Sequence, residues 1–159
     1  MKVSPPLKQS GSKKSRIKMP NVESRRIDSV SEDRFVTIGS NTFAGTHLLL
    51  DLWEAKGLDD PFLIEKALRD AVDVSGATLL HLHLHQITSS GGISGVAVLA
   101  ESHISVHTWP ERNYAAFDLF MCGNAQPELA VSTLQQAFLA GRTEITNIQR
   151  GRLRSCQNG

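Results

Sequence analysis

Glu101-Ser102-His103 sits inside a run, residues 94–123, in which hydroxyl, imidazole and thiol groups recur at close spacing. Ser94 lies eight residues before Ser102, His107 five after it, and Cys122 twenty after it, next to Gly123. A hydroxyl becomes a nucleophile when a general base stands beside it. Nucleophile, base and thiol thus fall within 29 residues. Ser94 and Ser102 have the same strand parity. On spacing alone a plainer reading stays open, with both serines as small strand residues and Cys122 in the core.

What the chain lacks narrows the chemistry. Its seven lysines are Lys2, Lys8, Lys13, Lys14, Lys18, Lys56 and Lys66, and none lies in residues 67–159. A pyridoxal enzyme holds its coenzyme on a lysine, so the half richest in reactive groups cannot supply one. His81, His83 and His85 alternate with Leu80, Leu82 and Leu84 and would share one strand face. Two such imidazoles could bind a transition metal. No Cys, Asp or Glu completes a site at local spacing, so the expectation is a solvated or interface-facing histidine row and no metal.

The elements that must position these groups follow from period and caps. His47 to Trp53 reads as a first strand. Asp60-Pro61 is an N-cap with proline at the first helical position; Ile64, Leu68 and Ala71 share a face, and Gly76 is a stop. Glu65 and Arg69 form an i,i+4 pair. Residues 77–87, 93–100, 104–108 and 114–120 read as strands. Gln126-Pro127-Glu128 starts a second helix with Val131, Leu134 and Phe138 on one face and Gly141 as its end, and 143–149 is a last strand. The expected fold class is α+β, a mostly antiparallel sheet with two helices on one face.

Length, 159 residues, suits one domain with a single core. The expected division is a basic extension over 1–40, a catalytic domain over 41–150 and a tail over 151–159. The net charge of +1 hides nine Lys/Arg against four Asp/Glu in residues 1–34. Such a run could touch nucleic acid or an anionic membrane, but it has few aromatics to stack on bases, and a solvated extension is expected. No apolar run approaches the ~20 residues of a membrane span. Two cysteines, Cys122 and Cys156, make no disulfide framework. A reducing cytoplasm is therefore the expected location.

The stretch Gly-Ile-Ser-Gly-Val-Ala-Val-Leu-Ala-Glu-Ser-His-Ile-Ser-Val-His-Thr-Trp-Pro-Glu, followed by Tyr-Ala-Ala-Phe-Asp-Leu-Phe-Met-Cys-Gly, resembles the prokaryotic S-adenosylmethionine decarboxylase proenzymes. The resemblance covers residues 43–150 and leaves out the basic extension. It implies that Ser102 attacks the carbonyl of Glu101 and that Ser94 steadies the tetrahedral intermediate by hydrogen bonding. It further implies that His107 removes the α-proton of residue 102. The chain would be cut between Glu101 and Ser102, leaving a β chain, 1–101, and an α chain, 102–159. The implied cofactor is a covalent pyruvoyl group made from Ser102, through which the substrate's α-amine is held as a Schiff base. Cys122 then resembles the family's proton donor. The implied product is decarboxylated S-adenosylmethionine, the aminopropyl donor for spermidine, and the implied assembly is a homodimer whose sites are completed across the interface.

For substrate contacts, Glu111 matches a carboxylate that accepts from ribose hydroxyls, and Phe43 an aromatic that stacks on adenine. The second aromatic expected six residues before Ser94 is replaced by Thr88, and Arg112-Asn113 replaces the common Tyr-Gly. A ring on the adenine or the sulfonium contributes about 0.5–2 kcal/mol. The alternative is therefore a pyruvoyl-dependent arginine or ornithine decarboxylase, with Glu111 or Asp118 facing the substrate's side chain. Asp118 shares strand parity with Cys122, and a structural role for it is the plainer reading.

Overall fold

A computed structural model describes residues 34–87 and 89–153. Residues 1–33, Thr88 and residues 154–159 lie outside the described residues, and with them most of the basic extension and Cys156. A short hairpin comes first, β1 (Val36–Ile38) and β2 (Asn41–Phe43). It precedes the strand with which the sequence reading begins, and its first strand lies before residue 41. There follow β3 (Gly45–Trp53), α1 (Pro61–Ser75), β4 (Leu79–Gln86), β5 (Ile93–Leu99), β6 (Ser102–Trp109), β7 (Tyr114–Met121), α2 (Pro127–Ala137) and β8 (Arg142–Arg150). The last six strands form one antiparallel sheet in the order β4-β5-β6-β7-β3-β8.

The caps are where local chemistry puts them. Asp60 accepts from the N–H groups of Phe62 and Leu63 at 2.9 and 3.2 Å, satisfying two of the donors a helix start leaves open. Gly76 ends α1 in the left-handed region, φ 73°. Glu65 and Arg69 pair at 2.7 Å. The second helix stops at Ala137, before Gly141, with Phe138 as its C-cap. Ile64, Leu68 and Ala71 of α1 and Leu134 of α2 are fully buried against Leu48, Leu50, Leu52, Ile104, Val106, Phe117 and Leu119. Each of these larger apolar side chains contributes about 1.5–3 kcal/mol on leaving water. Both helices therefore cover one face of the sheet.

The other face is polar and aromatic. Its rows follow from cross-strand partners: His47, Phe120 and His103 in one, Leu49, Asp118 and Ser105 in the next. Asp51, Ala116, His107 and Ser94 follow, then Trp53, Tyr114 and Trp109. No helix among the described residues is long and apolar enough to cross a membrane.

One parity expectation fails. In β4 a bulge falls between Leu79 and His81, so Leu79 pairs with Leu99 and His81 with Val98. The extra residue puts Leu80 in solvent, 63% exposed, while Leu79, Leu82 and Leu84 pack on the core. His81, His83 and His85 stay exposed on this edge strand, the first two rings stacked at 6.5 Å. Among the described residues no group of three or more His, Cys, Asp or Glu could hold a metal ion.

Candidate active site

The reactive residues fall at two opposite ends of the sheet. At one end, β5 and β6 are joined by the two-residue turn Ala100-Glu101, with Leu99 and Ser102 paired across it. Closing so tight a turn needs a positive φ, and here Glu101 carries it, φ 64°. A non-glycine residue holds that conformation at a cost of roughly 1–2 kcal/mol. Strain therefore sits on the residue just before the Ser102 peptide bond.

Ser102 Oγ accepts a hydrogen bond from the backbone N–H of Cys122 at 3.1 Å. The two meet because β7 ends alongside the start of β6. Burial pushes the Cys122 thiol above its ordinary pKa; the hydrogen bond with Ser102 opposes this, and the Glu101 carboxylate adds to it. Such a thiol keeps its proton through neutral pH and into the mildly alkaline range. Gly45 of β3 lies against the same corner. A Cβ there would stand 2.5 Å from the Met121 carbonyl and 3.0 Å from Cys122 Sγ, so only glycine lets β3 come this close.

Ser102 lies between two cavities. One of about 590 Å³ is lined also by Ala44, Glu101, His103, Phe120 and Arg150. The other, about 280 Å³, is lined also by Arg34, Thr78, Ala100, Cys122 and Asn124. Burial, then the neighbouring His47, lowers the His103 pKa, with Asp118 opposing, so His103 is neutral at pH 7. Arg150 lies over the Phe120 ring at 5.5 Å. Phe43, two residues before Gly45, is fully buried and presents no ring face to solvent.

At the far end, Ser94 Oγ and His107 Nδ1 are 2.9 Å apart across β5 and β6. The imidazole leads into an aromatic ladder: His107 to Trp109 at 6.2 Å, Trp109 to Tyr114 at 5.2 Å and Tyr114 to Trp53 at 4.3 Å, capped by Arg142 over Trp53 at 4.8 Å. Tyr114 donates to Asp51, and burial together with that bond pushes its phenol up to about 12. Glu111 is exposed in the 3-10 turn Pro110–Arg112 just beyond.

Five residues of β6 separate Ser102 from His107, ~16 Å at a strand's rise per residue. Ser94 and Ser102 do not share a face as their spacing suggests. The turn reverses the chain between them, leaving Ser94 opposite His107 on the open face and Ser102 opposite Leu99 on the helix side. Asp118 is four residues, ~13 Å, from Cys122. It accepts from Ser105 Oγ at 2.9 Å and lies 3.5 Å from His47 Nε2. Sequence reasoning passed over three residues of the Ser102 end: Gly45, His103 and Arg34. His103 was visible as the third member of Glu-Ser-His; Arg34 carried no local signal.

The class of this small α+β fold follows from comparisons with known proteins. A crystal structure of the adenosylmethionine decarboxylase of Aquifex aeolicus superposes with a TM-score of 0.63 at 29% identity, over 74% of this chain and 98% of that one. The family model for S-adenosylmethionine decarboxylase matches residues 46–151. The chain belongs to the S-adenosylmethionine decarboxylase family, and so to a family of enzymes acting on a small molecule. The S-adenosylmethionine decarboxylase proenzyme of Thermomicrobium roseum is 42% identical over 108 residues, 67% of this chain and 93% of the relative. That of Methanococcus maripaludis is 46% identical over 110 residues, 67% and 89% of the two chains.

Proposed function

We propose that this chain is a self-cleaving, pyruvoyl-dependent decarboxylase of S-adenosylmethionine, working in the cytoplasm as a homodimer. The observation that carries the reading is the Ser102–Cys122 contact beside a left-handed Glu101. A hydroxyl is thereby held at a peptide bond next to a strained turn, with a protonated thiol adjoining.

In the cleavage, Ser102 Oγ bonds to the Glu101 carbonyl carbon and the Glu101–Ser102 C–N bond breaks, giving an ester. A base then takes the α-proton of residue 102, and elimination frees Glu101 as a carboxylate. Water adds to the remaining dehydroalanine and ammonia leaves, so residue 102 ends as a pyruvoyl cap. His107 suits the base, held by Ser94, but at ~16 Å it cannot serve the Ser102 of its own chain in this arrangement. A second copy placed by a two-fold axis brings one chain's Ser94 and His107 to the other's Ser102, and forms two such sites at once. The polar, aromatic open face is available for that packing.

The fit of the cofactor rests on the same corner: a hydroxyl at residue 102, a cavity of about 590 Å³ beside it and a thiol within reach. The pyruvoyl ketone would supply an electron sink for loss of the substrate's carboxylate. The chain's own residues do the rest. Cys122 returns a proton to the substrate's α-carbon. Glu111 of the second copy accepts from the ribose hydroxyls. Phe43 would reach adenine only with the β1–β2 hairpin displaced, since its ring is buried. Each of the relatives named above carries adenosylmethionine in its name, which favours that substrate over arginine and ornithine.

Two measurements test the reading. Intact mass of the denatured protein is expected to give fragments 1–101 and 102–159, the second blocked at its N-terminus and reactive to hydrazine. Carbon dioxide release, assayed side by side, is expected from S-adenosylmethionine and not from arginine or ornithine. A single uncut chain, or release from arginine alone, would overturn it.

A further inference from the structure

Arg34 lies before the region matched by the family, residues 46–151, and nothing in the cleavage chemistry above uses it. The structure nevertheless brings it to the cut. Its backbone carbonyl accepts from the N–H of Gly123 at 2.9 Å, one residue past the thiol. Its side-chain stem lies over Gly123, where a Cβ would stand 3.5 Å from Arg34 Cδ. Its guanidinium Nε is 3.4 Å from Glu101 Oε2. It also lines the smaller cavity together with Ser102 and Cys122.

We propose that Arg34 is a positioning residue for the self-cleavage. It ties the side chain of Glu101 to the end of β7 and so holds the strained turn over Ser102 Oγ. This inference rests on the cleavage reading given above. The backbone bond fixes where Arg34 sits, and the ion pair passes that position on to Glu101. Arg34 and Glu101 both belong to the β chain, while Gly123 belongs to the α chain. After the cut, Glu101 gains a terminal carboxylate, with the Arg34 guanidinium beside its side chain. The same contact then keeps the severed end next to Cys122, bridging two chains that share no peptide bond.

The side chains are 62% and 54% exposed, so the pair is screened by water and salt, and a modest effect on rate is expected. Arg34→Gln keeps a stem over Gly123 and removes the charge. In the full-length chain, with cleavage followed by gel after synthesis, Arg34→Gln is expected to cut about two- to fivefold more slowly than wild type. Arg34→Lys should restore most of the rate. Glu101→Gln should slow it equally, and the double variant no further than either single one. Raising salt from about 0.05 to 0.5 M should slow the wild type toward the Arg34→Gln rate and leave that variant unmoved. A role confined to packing or backbone would show neither the salt response nor the Lys rescue. If the wild type cuts and Arg34→Gln matches its rate and salt response, the inference falls while the cleavage reading stands. If the wild type never cuts, both fall.

Discussion

The two ends of the β5–β6–β7 hairpins differ in what they hold and in how firmly they hold it. At the Ser102 end a hydroxyl, a half-buried thiol and a strained turn are locked together, and the close approach of Gly45 leaves no room for change. At the Ser94 end the imidazole and the Glu111 carboxylate stand in the open, backed by stacked rings. In the proposed reaction the first end carries the bond to be broken and the proton to be returned, and the second carries the base and the ribose acceptor. A single chain holds both halves of one reaction ~16 Å apart, so the difference between the ends is an argument for assembly. In the proposed homodimer, two copies related by a two-fold axis would turn a useless separation into two complete sites.

The largest effect comes from breaking the first end outright. Ser102→Ala should leave an uncut chain with no turnover. Co-expressed with His107→Ala, which is spoiled at the other end, it should regain about a quarter of wild-type turnover. Half of randomly assorted dimers are mixed, and each holds one sound site. No recovery in co-expressed, dimeric protein would mean that the two ends do not meet across copies. Cys122→Ala comes next. It should still cut, more slowly at most, while turnover drops about 10²–10⁴-fold, as for loss of a positioned proton donor. Equal loss of cutting and turnover would contradict the separate task of the thiol.

The smallest effect sharpens the second end. Tyr114 is the chain's only tyrosine, so its phenolate absorbance is a clean signal. Its midpoint is expected at about 12 rather than the ordinary 10, and Asp51→Asn should lower it only in part, since burial is the first cause. The folded value lies above the unfolded one. The stability it brings is therefore whole below pH ~10 and lost as pH rises through about 12. A phenol titrating near 10 in the folded protein would mean that this end is looser than the ladder of rings implies.

Much of the fold was legible because its signals are local. Asp60-Pro61 and Gly76 bound α1 through hydrogen bonds made within four residues. The strands 93–99 and 114–121 follow the two-residue period. The second helix ended early, at Ala137, and the β1–β2 hairpin had too short a period to be read. Leu80 was misplaced because alternation counts residues, and one bulged residue shifts the count. The sequence names the candidate residues as positions, but not as neighbours.

That division has a physical reason. The sequence by itself determined which groups are present: a serine beside glutamate, an imidazole five residues on, a thiol before glycine, and no lysine in residues 67–159. It also set the caps and periods that make helices and strands, since these depend on nearby backbone bonds. Only the tertiary structure decided which groups meet. A turn closed by a left-handed Glu101 reversed the chain between Ser94 and Ser102 and put them on opposite faces. Antiparallel pairing then sent Ser102 toward Cys122 and His107 away from both, and it brought Arg34, from outside the family's own span, to the carboxylate beside the cut. Contacts between residues twenty or sixty-seven apart are fixed by strand order and register, which no local spacing records.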